Sequence, residues 1–333
     1  MPRIVRLDRI GDPEVLQLVD VDLEAPGPGE VRFQVASFAL NRADLLFMRG
    51  QHYTLPVLPA RIGSEATGVV DAVGSGVSQF KPGDRVSSIP FHTTRHGVQG
   101  EYAIVPEEFL VAWPDGVDAH EGCSAWMQYL TAYFALVEVG RMTADDYVLV
   151  PAASSSAGLG ALQIIKMYGA TAIATSRNDK KKARLLESGA DHVIVTDSEN
   201  VGDRIMEITG GKGVRLSFDP IGGDFLASYV DALDQDAIIL PYGLLSGEDF
   251  KVPVAPMVRK SAIVHPFSMF NHVNKPDQLA RGKDVVLQGL RSGKLRPHVD
   301  RIFPFDDTVG AYNYMESNVQ MGKIVVEVSK DVF

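Results

Sequence analysis

The stretch Asp145-Asp146-Tyr147-Val148-Leu149-Val150-Pro151-Ala152-Ala153-Ser154-Ser155-Ser156-Ala157-Gly158-Leu159-Gly160-Ala161-Leu162-Gln163-Ile164-Ile165-Lys166 reads as strand, tight turn and helix. Tyr147 to Val150 is a short apolar β-prone run, and Leu159, Leu162, Ile164 and Ile165 then fall at helical spacing. The turn between them is almost wholly Ala, Ser and Gly. Residues that small let a phosphate-bearing ligand approach the backbone and the free N–H groups of a helix's first turn, which is a dinucleotide-binding geometry. The usual G-x-G-x-x-G stands here as Ala153-Ser154-Ser155-Ser156-Ala157-Gly158, with only its last glycine. Serine fits such a turn and adds hydroxyl donors, although Ser-rich turns also begin helices that hold no ligand.

A second β-prone run, Thr171-Ala172-Ile173-Ala174-Thr175, follows about one βαβ unit downstream and ends in Ser176-Arg177-Asn178-Asp179-Lys180-Lys181-Lys182. An NAD site has an acidic side chain at this strand end for the ribose 2′-OH, whereas a 2′-phosphate requires hydroxyl and cationic donors. Ser176, Arg177 and Lys181 therefore predict NADPH, with its 2′-phosphate on these residues and its pyrophosphate on Ser154, Ser155, Ser156 and Ala157. The competing reading is a solvated lysine run at the start of a surface helix. Its position at the end of this strand favours the phosphate site.

The chain has 333 residues, enough for two domains with cores of their own. With 45% hydrophobic and 22% charged residues it has an ordinary globular composition. Its 32 basic and 42 acidic residues leave a net charge of −10, which argues against nucleic acid or an anionic membrane as the main partner. Met1 to Leu7 alternates like a strand and is unlike a signal peptide, and no apolar run reaches membrane-span length, so a cytoplasmic protein is expected. The single cysteine, Cys123, excludes an intramolecular disulfide and any four-cysteine zinc site.

Residues 1 to about 120 are β-rich, with alternating runs such as Val31 to Ala36 and turn signals such as Lys81-Pro82-Gly83-Asp84, and they predict an antiparallel barrel or sandwich. From about Cys123 the pattern becomes α/β, with a helix over 125–138, strands at 147–150, 171–175, 192–196, 214–219 and 236–241, and intervening helices at 159–168, 179–188 and 200–209. This alternation predicts a doubly wound parallel sheet. A helix over 278–292 and a final strand, Lys323 to Val328, complete the chain, and this tail is expected to rejoin the first domain.

These motifs together resemble the medium-chain dehydrogenase/reductase superfamily, and within it the zinc-independent quinone oxidoreductase and enoyl reductase branch. The resemblance runs over nearly the full length. It includes Asn41-Arg42-Ala43-Asp44, Gly63-Ser64-Glu65-Ala66-Thr67-Gly68, Lys81-Pro82-Gly83-Asp84-Arg85-Val86, Leu130-Thr131-Ala132, Leu186 to Asp191, and Gly322-Lys323-Ile324-Val325. It implies a β-rich GroES-like catalytic domain (1–122 with 268–333), a Rossmann NADPH-binding domain (123–267), and NADPH in the cleft between them. Where the zinc-dependent alcohol dehydrogenases of the superfamily place their catalytic zinc ligands, this sequence has Asn41, Ser64 and Met127, so no metal is expected. Two histidines four apart, His92 and His96, have no cysteine or carboxylate partner in sequence and are discounted as a metal site.

Without zinc, alcohol oxidation loses its usual Lewis acid, whereas reduction of a quinone or an electron-poor C=C needs only hydride from nicotinamide and a proton from a modest acid. In the enoyl reductases of this branch an arginine- or glutamine-glycine pair is followed closely by a tyrosine, and Arg49-Gly50-Gln51-His52-Tyr53 matches that pattern, which makes Tyr53 the candidate proton donor and His52 its rival. Some quinone reductases have an earlier tyrosine where this chain has Leu46, a departure that bears on quinone specificity. The resemblance further implies that Asn41 and Thr131 face the nicotinamide, that Tyr242, Gly243, Phe267 and Met269 line the cofactor or the cleft wall, and that Gly322-Lys323 lies near the phosphates. The expected function is an NADPH-dependent, zinc-independent reductase of a small-molecule electron acceptor. The alternatives are a zinc-free reductase of ketones or aldehydes, and a non-catalytic NADPH-binding protein. A homodimer is also implied, through edge strands around Asp236–Leu240 and Phe250–Val254.

Overall fold

The strand–helix alternation in the second half of the chain builds a six-stranded parallel sheet. Its strands lie in the order His192–Val195, Thr171–Ser176, Tyr147–Val150, Val214–Asp219, Leu233–Pro241, Ile263–Val264. Chain order therefore reverses between Tyr147–Val150 and Val214–Asp219, and the crevice at the carboxyl ends of those strands is where such sheets bind nucleotides. Leu149, Ile173, Ile194 and Ile239 are wholly buried between helical layers, which is why these strands read as continuous apolar runs.

The computed structural model describes every residue except Asp115, Asp331 and Phe333. It divides into Gln128–His272, which carries this sheet, and a second unit made of Met1–Met127 and Val273–Phe333. In that second unit the ten-residue strand Glu30–Ala39 pairs antiparallel with Glu65–Val73 along its length. On its other edge, Tyr102–Pro106 covers the first half and Lys323–Glu327 the second. The tail thus returns to the amino-terminal sheet, as the sequence predicts, with Val325 opposite Ala39 and Val326 opposite Phe38. A three-stranded sheet, Leu16–Asp20, Arg3–Leu7 and Ala60–Arg61, closes over a core that includes Phe33, Phe38, Leu45 and Tyr312.

Three expectations change in detail. The helix expected over 125–138 is α-helical at Trp126–Ala132 and widens into a π-helical stretch at Tyr133–Val139. The strand containing Asp236–Leu240 is interior, paired on both sides, and the sheet's edge is Ile263–Val264. Phe250–Val254 forms no strand: Pro253 lacks an amide donor and caps the helix Val254–Lys260 instead. Among the described residues no helix is long and apolar enough to cross a membrane.

Candidate functional site

The Ser-rich turn sits at the carboxyl end of Tyr147–Val150, and the helix Ser156–Tyr168 starts from it. Ala152 adopts a left-handed backbone, φ +48°, that reverses the chain, and the Ala153 amide donates to the Thr175 carbonyl at 3.2 Å. Ser155 is the N-cap, its hydroxyl accepting from the Gly158 amide at 3.1 Å. The amides of Ser156 and Ala157 are left at the first helical positions without intrahelical acceptors, as helix geometry requires. A Cβ on Gly158 would stand 2.7 Å from both the Cα and the carbonyl oxygen of Ala153. The one retained glycine is therefore the one at which helix and turn touch, and the earlier positions tolerate Ala and Ser.

Around this turn the structure gathers several of the expected residues. The Lys181 ammonium lies 3.3 Å from the Ser154 hydroxyl. Ser176 closes the end of the neighbouring strand, its hydroxyl donating to the Asn178 carbonyl at 2.9 Å, and Arg177 beside it is exposed. Tyr242 stacks on Phe218 with ring centroids 4.0 Å apart. Its hydroxyl lies in the interior beside Ser155, and burial pushes its ionisation above the ordinary phenol range. Gly243 follows Tyr242 against Pro220. Elsewhere in the same unit, Thr131 is buried on Trp126–Ala132, and Met269 and Phe267 are buried as well, with Phe267 stacked on His272 at 5.2 Å. Cradle, flanking cation and exposed arginine suit a phosphate-bearing dinucleotide.

In the other unit, Asn41 caps the helix Arg42–Met48 and belongs to a buried charged network. Its amide N–H donates to Asp44 Oδ2 at 2.8 Å, Lys323 Nζ donates to its Oδ1 at 2.7 Å, and its Nδ2 donates to Glu65 Oε2 at 3.0 Å. Lys323, 1% exposed, also pairs with Glu65 Oε2 at 2.5 Å, while Glu65 Oε1 accepts the Met127 amide at 2.7 Å. An ammonium can only donate, so Lys323 fixes which way the Asn41 amide points and leaves one Nδ2 hydrogen uncommitted. Burial raises Asp44 to about 7, against the pull of the Asn41 amide and of Lys323. The phenol of Tyr312, bonded by Gln99 Nε2 at 2.6 Å, is likewise pushed up by burial.

Lys323, expected near the cofactor phosphates, is instead committed to this interior ion pair. A lysine opening the apolar run Lys323-Ile324-Val325-Val326 was the available signal, because a cation in a buried strand needs a carboxylate, and Glu65 stands in a comparable run.

Tyr53 follows the same helix after a turn in which the amides of Gln51 and His52 both bond the Leu46 carbonyl, at 2.8 and 3.0 Å. It is 62% exposed and lies between two imidazoles, with ring centroids 4.0 Å from His52 and 5.8 Å from His92. His52 Nδ1 accepts the Thr54 amide at 3.1 Å, and burial lowers its pKa, so it is neutral near pH 7. The Thr54 hydroxyl lies 3.1 Å from the His92 ring nitrogens.

A zinc ion does not fit beside Asn41. Both oxygens of Glu65 are engaged, the Lys323 ammonium already supplies the positive charge, and burial raises the thiol of nearby Cys123 so that it stays protonated. Among the described residues no three of His, Cys, Asp and Glu converge as a metal site.

A family model described as an alcohol dehydrogenase GroES-like domain matches residues 27–115, and one described as a zinc-binding dehydrogenase matches residues 157–281. A quinone oxidoreductase of Pseudomonas aeruginosa is 28% identical, covering 98% of this chain and 99% of its own. A 2-haloacrylate reductase of a Burkholderia species is 28% identical over 95% of this chain and 96% of its own. The crystal structure of Escherichia coli quinone oxidoreductase complexed with NADPH superposes with a TM-score of 0.89 at 27% identity, covering 98% of this chain and all of that one.

Proposed function

Because the chain belongs to the medium-chain dehydrogenase/reductase superfamily, in its quinone oxidoreductase branch, we propose that it is an NADPH-dependent reductase of quinones or of α,β-unsaturated carbonyl compounds. The observation that carries this reading is the network at Asn41. A superfamily member that oxidises alcohols through zinc needs a Lewis acid, and in its place stands a neutral amide held by Lys323 and Glu65 with one N–H to spare. A single oriented N–H suits an acceptor whose carbonyl oxygen gathers charge as hydride adds to a conjugated carbon. The 2-haloacrylate reductase among the relatives carries a C=C substrate in its name, in keeping with that chemistry.

The nicotinamide, when bound, supplies the hydride, and the chain's own residues bind, orient and protonate. Ser154 to Ala157 hold the pyrophosphate with backbone and hydroxyl donors, and Lys181, beside Ser154, adds charge there. Ser176 and Arg177 take the ribose 2′-phosphate, which makes NADPH the preferred cofactor. Thr131, Tyr242, Gly243, Phe267 and Met269 complete the nucleotide side. Asn41 donates to the developing enolate oxygen, and Tyr53 delivers the proton, with the rings of His52 and His92 beside it to restore it from solvent.

The test is product analysis after incubation with NADPH and a cyclic enone. The saturated ketone is expected, and Tyr53→Phe is expected to lower kcat by about ten- to a hundredfold with the Kd for NADPH unchanged. An allylic alcohol as product would place the chain among simple carbonyl reductases. Tight NADPH binding with no acceptor reduced, across quinones and enones, would make it a binding protein.

A further inference from the structure

A cavity of about 330 Å³ lies in the amino-terminal unit, with walls from the strands Arg3–Leu7, Glu30–Ala39, Ala60–Arg61 and Tyr102–Pro106 and from the segment 21–24. It shares no residue with the site described above. Ile4, Val21, Leu23 and Ile104 give it apolar walls, and Arg32, Arg61 and Arg95 also line it. Two of these arginines are already neutralised. Arg32 forks onto Asp71 at 2.9 and 2.8 Å and donates to the Glu24 carbonyl at 2.6 Å, and Arg95, 71% exposed, lies 3.4 Å from Glu30.

Arg61 is different. Its guanidinium makes one hydrogen bond, from Nη2 to the Tyr102 carbonyl at 2.6 Å, its Nε is shut off from water without an acceptor, and no carboxylate among the described residues comes within ion-pair distance. Gly97 packs against the backbone of Arg61, since a Cβ there would stand 2.6 Å from the Arg61 carbonyl carbon and 2.5 Å from the Ile62 nitrogen. Burial accordingly pulls the Arg61 pKa down, with Glu24 opposing at longer range. Arg61 is half-buried, with a guanidinium edge left open to the cavity and no carboxylate against it, and an anion in the adjoining space supplies the missing counter-charge.

We propose that this cavity binds a small monocarboxylate with an apolar body, its carboxylate on Arg61 and its hydrocarbon against Ile4, Val21, Leu23 and Ile104. The volume is at the lower end for small-molecule sites. Asp22 and Glu24, exposed at the lining, oppose multiply charged anions such as phosphates. His96 adds no competing charge: its Nδ1 lies 3.0 Å from the Ile104 carbonyl, and burial keeps the ring neutral near pH 7.

Calorimetric titration of the purified protein with benzoate, and in parallel with inorganic phosphate, tests this. Saturable one-to-one binding of benzoate is expected, with phosphate at least about tenfold weaker and with Arg61→Met weakening benzoate by at least about tenfold. Arg61→Met keeps the aliphatic stem and removes the unpaired charge, so its melting temperature is expected to hold. Should it fail to fold, Leu23→Trp, which fills the cavity from an exposed position, is expected to abolish benzoate binding instead. No saturable benzoate binding by the unsubstituted protein, phosphate binding as tightly as benzoate, or benzoate binding that survives both substitutions would each overturn the proposal.

Discussion

Lys323→Met is expected to destabilise the protein by about 3–5 kcal/mol, because it strands a buried carboxylate. Glu65 is 0% exposed, and its Oε2 would lose the ammonium, leaving only the Asn41 amide on that oxygen. Glu65→Gln, which leaves the cation unpaired, is expected to cost a similar amount. The double variant Lys323→Met with Glu65→Gln is expected to recover about half or more of the combined loss, since removing both charges restores a neutral interior. Urea unfolding of the two singles and the double measures this coupling. Single losses under about 1 kcal/mol, of the size found for surface pairs, would mean that the network is wetter than the burial of Lys323 indicates. Turnover supplies the functional half of the test. The double variant frees the Asn41 amide to rotate, so kcat is expected to remain low even where stability returns.

Gly158→Ala is expected to weaken NADPH binding by at least about tenfold, because the added carbon meets backbone that has no rotamer to change. Its Cβ would stand 2.7 Å from the Ala153 Cα and 2.7 Å from the Ala153 oxygen, so the turn bearing the phosphate-facing amides must move away from the helix. Gly160→Ala is the matched control. There the nearest atom is 3.3 Å away, on Gln128, and a shift of a few tenths of an ångström accommodates the carbon. Equilibrium titration of both variants should therefore separate them, and equal affinities would mean that the turn is not the phosphate cradle.

The parallel sheet was legible in the sequence because fully buried strands read as unbroken apolar runs and each is followed by a helix of regular period. Strand order was not written in any one segment, yet a turn of small residues after Tyr147–Val150 marks the first strand of such a fold, and the reversal falls beside it. The Asn41 network was legible only in part. Asn41, Glu65 and Lys323 are brought together by strand pairing across most of the chain, so only the oddity of a lysine opening an apolar strand hinted at a partner. Phe250–Val254 reads as apolar and β-prone, but Ile263–Val264 takes the edge beside Leu233–Pro241 and Pro253 turns the segment into a helix start. The cavity at Arg61 left no trace in the sequence, because a cation without a carboxylate looks in sequence like any surface arginine.

Side-by-side fluorescence titration with NADPH and NADH, on the unsubstituted protein and on Arg177→Ala, tests the central claim most directly. Arg177 is exposed at the end of Thr171–Ser176, where the ribose 2′ substituent is proposed to lie. NADPH is expected to bind at least about tenfold more tightly than NADH, and Arg177→Ala is expected to erase most of that preference while leaving NADH affinity unchanged. Equal affinity for the two cofactors, or a preference untouched by the substitution, would contradict the assignment of Ser176 and Arg177 to the 2′-phosphate and with it the identity of the hydride donor.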